Sequence, residues 1–396
     1  MVAVKNGYKI TEMGMIPDDW DVKIFKEIFK VNQGLQIAIE KRYNYPSSES
    51  KIYITIQYLN DGKSVEYIND YSKSVCCEES DVLMTRTGNT GMVITNVNGV
   101  FHNNFFKIKF DKDYIVFYLK QNSTQKKILE KAGTSTIPDL NHNDFYSLAI
   151  PLPPTLQEQK AIAEVLSSLD DKIELLQKQN ETLEALAQTL FRQWFIEEAD
   201  NSWEEYTIGR CAEIIKTSVK PEVNPDETFE HYSLPAYDNH QNPSLDLGID
   251  IKSSKYKVIN EAVLISKLNP AISRVWLILD EAQKNSICST EFVVVKPNSR
   301  EWMFFIYCLL SANETSEYLG SCASGTSGSH QRIKPIDVLN INFSFNDIES
   351  IRRFGLHVQP FFEKISLNRK SMRTLEQTRD TLLPRLMSGQ VRIKLD

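Results

Sequence analysis

The chain has little that would make it a membrane, metal, redox or cofactor protein. No window of its 396 residues approaches 18 uninterrupted apolar positions, so no membrane-spanning helix is expected. The opening stretch MVAVKNGYKITEMG lacks an apolar run of signal-peptide length, which makes the cytoplasm the expected location. The six cysteines (Cys76, Cys77, Cys211, Cys288, Cys308, Cys322) form no CxxC pair and no Cys/His cluster with zinc spacing. They are expected to be reduced and mostly buried thiols, with Cys76 and Cys77 on opposite faces of a strand. The histidines (His102, His142, His231, His240, His330, His357) show no metal spacing either. No Gly-rich cofactor loop follows a strand, and no Asn/Asp-Pro-Pro-aromatic tetrad occurs, since Asn269-Pro270 continues as Ala271-Ile272. Without a phosphate-binding P-loop, ATP-driven work is excluded as well. A nuclease-like string, Pro138-Asp139 followed by Glu158-Gln-Lys160, is better explained by Glu158 as a capping residue in a helix's first turn.

A net positive charge is also missing. The chain carries −7 overall, which does not suggest a nucleic-acid binder, so the distribution matters more than the total. Residues 1–150 are neutral, 151–200 carry −6, 201–340 carry −5 and 341–396 carry +4. Acidity elsewhere limits nonspecific adhesion to nucleic acid without forbidding a local basic face. Hydrophobic content of 41% and charged content of 24% describe an ordinary globular protein long enough for two or three cores.

What the chain does have is repetition. Residues 133–191 and 325–383 align at a constant shift of 192 positions: Gly133-Thr-Ser falls on Gly325-Thr-Ser, Lys172-Ile173 on Lys364-Ile365, and Thr182-Leu-Glu on Thr374-Leu-Glu. Each half reads as one variable globular unit followed by one long helix. Leu152, Pro153 and Pro154 end the first unit. Thr155 then opens a helix as the cap of a capping box, with Glu158 placed to reach back. Apolar residues follow at alternating spacings of four and three. One row is Ile162, Leu169, Leu176, Leu183 and Leu190; the other is Leu166, Ile173, Asn180, Ala187 and Trp194. This heptad seam contains one polar intruder. A helix of roughly 35–40 residues at ~1.5 Å each spans ~50–60 Å.

The second helix starts near Asn346-Asp347. Its rows are Phe354, Phe361, Asn368, Leu375, Leu382 and Val358, Ile365, Met372, Arg379, Leu386, again with one asparagine in the seam. Pro384 is expected to end or kink it, and Gln390-Val-Arg-Ile-Lys394 reads as a short terminal strand. The acidic first helix and the basic second attract each other lengthwise. In the globular units, residues 51–56, 82–84, 92–94, 106–110, 262–265, 275–279 and 292–295 read as strands. Helices are expected at 115–121, 123–132 and 301–318. Each unit is then mixed α/β, of about 150 residues.

Four stretches resemble the specificity subunit of Type I restriction–modification systems. Asp81-Val-Leu-Met-Thr-Arg-Thr-Gly-Asn-Thr-Gly91 looks like that family's strand-and-turn motif, and Gly133-Thr-Ser-Thr-Ile-Pro-Asp-Leu-Asn141 like the loop before its helix. Ile150-Pro-Leu-Pro-Pro-Thr-Leu-Gln-Glu-Gln-Lys160 is similar to its most recognisable stretch, and Leu382-Leu-Pro-Arg-Leu-Met-Ser-Gly389 to its ending. The second half departs from the pattern: proline is missing from Asn342-Phe-Ser-Phe345, and 262–274 lacks the Arg-Thr-Gly turn.

The resemblance implies an α+β protein with an internal pseudo-twofold repeat. Two mixed α/β target-recognition domains, 1–152 and 198–345, alternate with two long antiparallel coiled-coil helices, 153–197 and 346–396, the last with a C-terminal strand. It implies a non-catalytic subunit reading a split double-stranded DNA site, one domain per half-site, on a fixed ruler. Two methyltransferase subunits that modify adenine N6 would dock on it, and restriction subunits would join them. S-adenosylmethionine would then belong to the methyltransferase, and ATP and Mg to the restriction subunit, with no cofactor or metal in this chain. A coiled-coil assembly scaffold without DNA readout is the competing reading. The absent motifs argue against a third, a self-contained modification or restriction enzyme.

Arg, Lys, Asn and Gln in loops beside strands can bond base edges. In the first unit the candidates are Gln33, Gln36, Lys41, Arg42, Arg86, Thr87, Asn89, Asn103 and Asn104. In the second they are Lys216, Lys220, Lys267, Asn269, Arg274, Ser329, His330 and Gln331. The helix seam is assigned to Ile162, Leu166, Leu169, Ile173, Leu176, Asn180, Leu183 and Leu190 against Phe361, Ile365, Asn368, Met372, Leu375 and Leu382. Asn180 is expected opposite Asn368.

Overall fold

The computed structural model describes residues 6–109, 112–133, 137–200, 202–324 and 331–394. The chain divides into two compact units. One comprises residues up to Asp171 together with those from Glu376 onward; the other runs from Lys172 to Leu375. The two long helices, Leu156–Arg192 and Ile348–Met387, are therefore each shared between the units.

In the first unit one antiparallel sheet has the order Lys30–Gln33, Phe105–Lys109, Val82–Thr85, Val93–Ile94. Val82–Thr85 is buried along its whole length, as its apolar run requires when both faces are covered. Phe106 pairs with Met84 and Gln33 and packs on Phe145, whose ring is tilted against Phe25 with centroids 5.0 Å apart. A second sheet has the order Tyr67–Ile68, Lys51–Ile54, Gly99–Phe101, Cys76–Cys77, its two central strands parallel. Asp21–Ile24 pairs with Ala149–Leu152, where Pro151 is tolerated because the ladder has only two strands. Helices Lys112–Lys120 and Asn122–Ala132 bury Ile115, Leu119 and Ile128 in the same core.

The second unit has the same strand order and sense, with one additional edge strand, Ser218–Val219, in its mixed sheet. Ala212–Ile215, Phe292–Pro297, Ala262–Ser266 and Val275–Ile278 form the antiparallel sheet. Ser218–Val219, Lys255–Lys257, Ser286–Cys288, Thr228–Tyr232 and Ser244–Leu247 form the other, again with one parallel pair, Thr228–Tyr232 with Ser286–Cys288. Glu204–Thr207 pairs with Asn342–Phe345. The α+β class, with mixed units and long helices, is as the residues indicated.

Local expectations give way in four places, wholly or in part. The helix expected at 301–318 is two, Arg300–Ser311 and Asn313–Cys322, broken where Ala312 turns extended. Trp302–Leu310 are all buried, whereas the following helix buries only Thr315 and Leu319. A helix apolar all round needs neighbours on every side, and the polar segment after it must turn out to solvent. Pro384 does not end the second helix, which runs on to Met387. So close to the terminus the missing N–H forfeits one bond, and Ser388 N–H closes the last turn on the Pro384 carbonyl at 3.1 Å. Residues 390–394 form no strand. Arg392 is instead held through its side chain, with Nε and Nη2 each 2.9 Å from the Glu158 carboxylate and Nη1 3.0 Å from Asp19. Thr155 does cap the first helix, accepting from Glu158 N–H at 3.2 Å, but the Glu158 carboxylate goes to Arg392 rather than back to the cap. A bidentate guanidinium is the stronger partner for a buried carboxylate.

Candidate nucleic-acid interface

In each unit the antiparallel sheet ends in a polar rim built on one backbone frame. In the first unit Arg86 N–H donates to the Asn104 carbonyl at 2.7 Å, and Leu140 N–H donates to the Arg86 carbonyl at 2.8 Å. In the second, Lys267 N–H donates to the Glu291 carbonyl at 2.7 Å, and Ile333 N–H to the Lys267 carbonyl at 3.1 Å. Arg86 thus corresponds to Lys267, Asn104 to Glu291, and Asp139 to Arg332. Two residues on, Gly88 (φ +85°) corresponds to Asn269 (φ 49°), and both occupy the left-handed region. Glycine enters it without cost, and asparagine is among the few others that tolerate it. The frame is shared, and the side chains displayed on it differ.

The first-unit candidates separate into engaged and open groups. Arg42 donates from Nε (2.9 Å) and Nη2 (2.6 Å) to the Ile37 carbonyl and from Nη1 to Glu66 (3.1 Å), and lies over the Tyr53 ring. Arg86 donates from Nε to the Leu140 carbonyl (3.3 Å) and from Nη2 to Asp139 (2.9 Å) and packs over Phe106. Gln33 donates to the Asn103 carbonyl at 3.2 Å. Thr87 bridges to Asp139 through its backbone, while Asn89 is exposed at the turn. Gln36 and Lys41 are exposed on the segment before and within the short turn Ile39–Lys41. The Asn103 side-chain oxygen is buried with no hydrogen-bond partner among the described residues. Asn104 joins Arg42, Asn44, Gln57, Lys63 and His102 around a polar cleft of about 590 Å³. His102 Nδ1 accepts from Asn104 N–H at 3.1 Å, which leaves Nε2 as the proton carrier. Burial, then the Arg42 charge, hold that imidazole below its usual pKa.

In the second unit Lys267, Asn269 and Gln331 come together: Asn269 N–H donates to the Gln331 carbonyl at 3.0 Å, and the Asn269 side-chain oxygen is buried without a partner among the described residues. Arg274 is clamped side-on by Asp238, Nε at 2.7 Å and Nη2 at 3.0 Å. Lys216 and Lys220 flank the edge strand Ser218–Val219 and are exposed. Ser329 and His330 lie outside the described residues, as do 134–136 and 325–330 of the aligned Gly-Thr-Ser loops.

The helix seam can be followed inside each unit. In the first, Ile162 and Leu166 are buried with Leu386 and Met387, and Leu382 packs beside them. Leu169 is half-buried there, and Arg379 reaches Asp170 at 2.8 Å. In the second unit Ile173, Leu176 and Met372 cluster with Leu375. Asn368 donates to Asn180 at 2.8 Å and to Gln179 at 2.9 Å, with both asparagines buried. Beyond them Leu183, Leu190 and Phe361 pack on the core that holds Ile365 and Val358. Arg369 meets Glu184 at 3.0 Å and Arg373 meets Glu230 at 3.1 Å. These ion pairs set basic residues of the second helix against acidic groups of the same unit.

Comparison with known proteins gives this geometry its family. The profile described as the Type I restriction modification DNA specificity domain matches residues 17–185. The MjaIX specificity subunit of a Type I restriction enzyme from Methanocaldococcus jannaschii is 29% identical, over 98% of this chain and 97% of that protein. The MjaVIII specificity subunit from the same organism is 23% identical, over 96% and 94%. The chain is thus similar along nearly its whole length to Type I restriction–modification specificity subunits, and residues 17–185 match their DNA specificity domain. The S subunit crystal structure from M. genitalium shares the fold, with a TM-score of 0.57 at 17% identity over 100% of this chain and 99% of that one.

Several polar groups of the two rims are not foreseeable from the sequence. Asn44 and Gln57 are brought to the cleft by the second sheet, and Glu291 and Arg332 meet across 41 positions of sequence. Only the pairing of the strands puts them together. No helix among the described residues is long and apolar enough to cross a membrane, and no three His, Cys, Asp or Glu side chains there converge as metal ligands.

Proposed function

We propose that this specificity subunit reads a bipartite double-stranded DNA site, one globular unit per half-site, and docks two adenine-N6 methyltransferase subunits along its helices, with restriction subunits joining them. The supporting observation is the shared frame with exchanged side chains: the same two backbone hydrogen bonds display Arg86, Asn104 and Asp139 in one unit and Lys267, Glu291 and Arg332 in the other. A reader used twice for two different short sequences needs a constant scaffold and changed contacts. In this reading the chain turns over no substrate. S-adenosylmethionine is bound by the methyltransferase, ATP and Mg by the restriction subunit, and the complex works in the cytoplasm.

A gel shift with random genomic DNA across a salt series tests it, with and without a methyltransferase partner. Binding that weakens steeply with salt and sharpens onto one split motif when the partner is added is the expected result. A chain that assembles with the methyltransferase yet leaves DNA unshifted and unmethylated is a scaffold instead.

A further inference from the structure

The arginines at the two rims differ in what is left of their guanidinium. Arg42 has all three nitrogens engaged. The Arg86 and Arg274 side chains are only 17% and 15% exposed. Arg332 is 49% exposed, and its contacts lie on one edge: Nε donates to Glu291 Oε2 at 3.1 Å and Nη2 to Oε1 at 3.3 Å. Of the five N–H groups of a guanidinium, this side-on clamp consumes two. The outer edge, both protons of Nη1 and the second of Nη2, has no partner among the described residues. The clamp is itself fixed. Ser324 and Arg332 exchange backbone hydrogen bonds at 3.1 and 3.2 Å, the Glu291 carbonyl accepts from Lys267, and Glu291 N–H donates to the Ser289 hydroxyl at 3.2 Å.

We propose that Arg332 is a specificity-determining residue that reads a guanine in the second unit's half-site, with Glu291 as its positioning residue. This deepens the proposed function and rests on the second unit reading DNA. The outer fork of a guanidinium held in one plane matches the O6 and N7 acceptors of guanine in the major groove. A phosphate contact does not require this arrangement: it needs charge rather than a fixed plane, and a paired carboxylate subtracts from that charge. The corresponding place in the first unit is Asp139, so the two half-sites are read differently at this point of the frame.

The test is selection from a randomised duplex library by the full chain assembled with its methyltransferase partner, followed by sequencing, for the native protein, Arg332→Ala, Arg332→Lys and Glu291→Gln. The native chain is expected to enrich a split motif with a guanine in one half-site. Arg332→Ala should relax preference at that base pair by about ten- to a hundred-fold and leave the other half-site intact, which also shows that the variant folds. Glu291→Gln should relax the same base pair with the arginine still present, and Arg332→Lys should not restore it, because an ammonium has no planar fork. An unchanged motif in Arg332→Ala overturns the inference alone. So does a uniform loss of affinity with no base pair relaxed, the signature of a phosphate contact. If the native chain enriches no split motif, the inference falls together with the proposed function.

Discussion

At the scale of single residues, the number of N–H groups the protein consumes decides what each arginine can do. Arg42 ties the Ile37 carbonyl to Glu66 and covers Tyr53, whose hydroxyl in turn donates to the Leu35 carbonyl at 2.7 Å. It closes the loop that leads into Ile39–Lys41 and has little left for a base. Arg42→Ala should lower first-unit stability by about 1–3 kcal/mol, because a partly buried carbonyl and a carboxylate lose their donor together. Arg42→Lys should rescue little, since one ammonium cannot span both acceptors. Urea unfolding measures the loss. An unshifted midpoint with the first half-site relaxed would reassign Arg42 as a base contact. The six cysteines belong to the same scale: all are free, and burial pushes the Cys77 thiol up to about 11, away from a reactive thiolate.

At the scale of elements, the two long helices were the most legible part of the sequence and the rims the least. Heptad spacing is local, so Ile173, Leu176, Asn180 and Met372 could be placed on a seam without knowing the fold. Strand existence was equally readable, because Val82–Thr85 and Phe292–Pro297 are apolar runs between turn residues. Unreadable were features set by distant partners: the destination of Glu158, the break at Ala312, and the ion pair between Glu291 and Arg332. The candidates end at Gln331, one position short of Arg332, whose outer edge has no partner among the described residues. The seam itself gives a quantitative expectation. Asn180 and Asn368 are bonded to each other, and Gln179 shares the same amide. Asn180→Leu should destabilise the second unit by about 1–3 kcal/mol, because it leaves a buried amide short of a partner. Combining it with Asn368→Leu should recover most of that and loosen the register of the pair. Additive losses in the double-mutant cycle would show that the two amides are not coupled.

At the scale of the whole molecule, the packing of the first unit says where a reader can be exchanged. Its core extends beyond residues 1–150: Ile16, Trp20 and Ile150 share a cluster with Ile162, Leu166, Leu386 and Met387, and Arg392 bonds both Asp19 and Glu158. An exchange cut at residue 150 would ask foreign side chains to fit these helix faces, at a cost of about 1–3 kcal/mol for each misfit. The segment from Lys30 to Leu140 disturbs less of that base: Ile16, Trp20 and the Asp19–Arg392 pair stay native, while Tyr114, Leu119 and Gln121 of the exchanged segment still meet the retained core. It starts at the first strand of the antiparallel sheet and stops where Leu140 closes on Arg86, leaving the pair Asp21–Ile24 with Ala149–Leu152 and both helices native. Replacing 30–140 with the corresponding segment of a relative should change one half-site and leave the other as it was, with a smaller loss of stability than the cut at 150. Mapping methylated adenines in cells that express the chimaera with its methyltransferase reads both half-sites at once. A change in both would mean that recognition is not divided between the units. A folded chimaera that keeps both native half-sites would move the first reader outside 30–140, to the residues that pack on the helices.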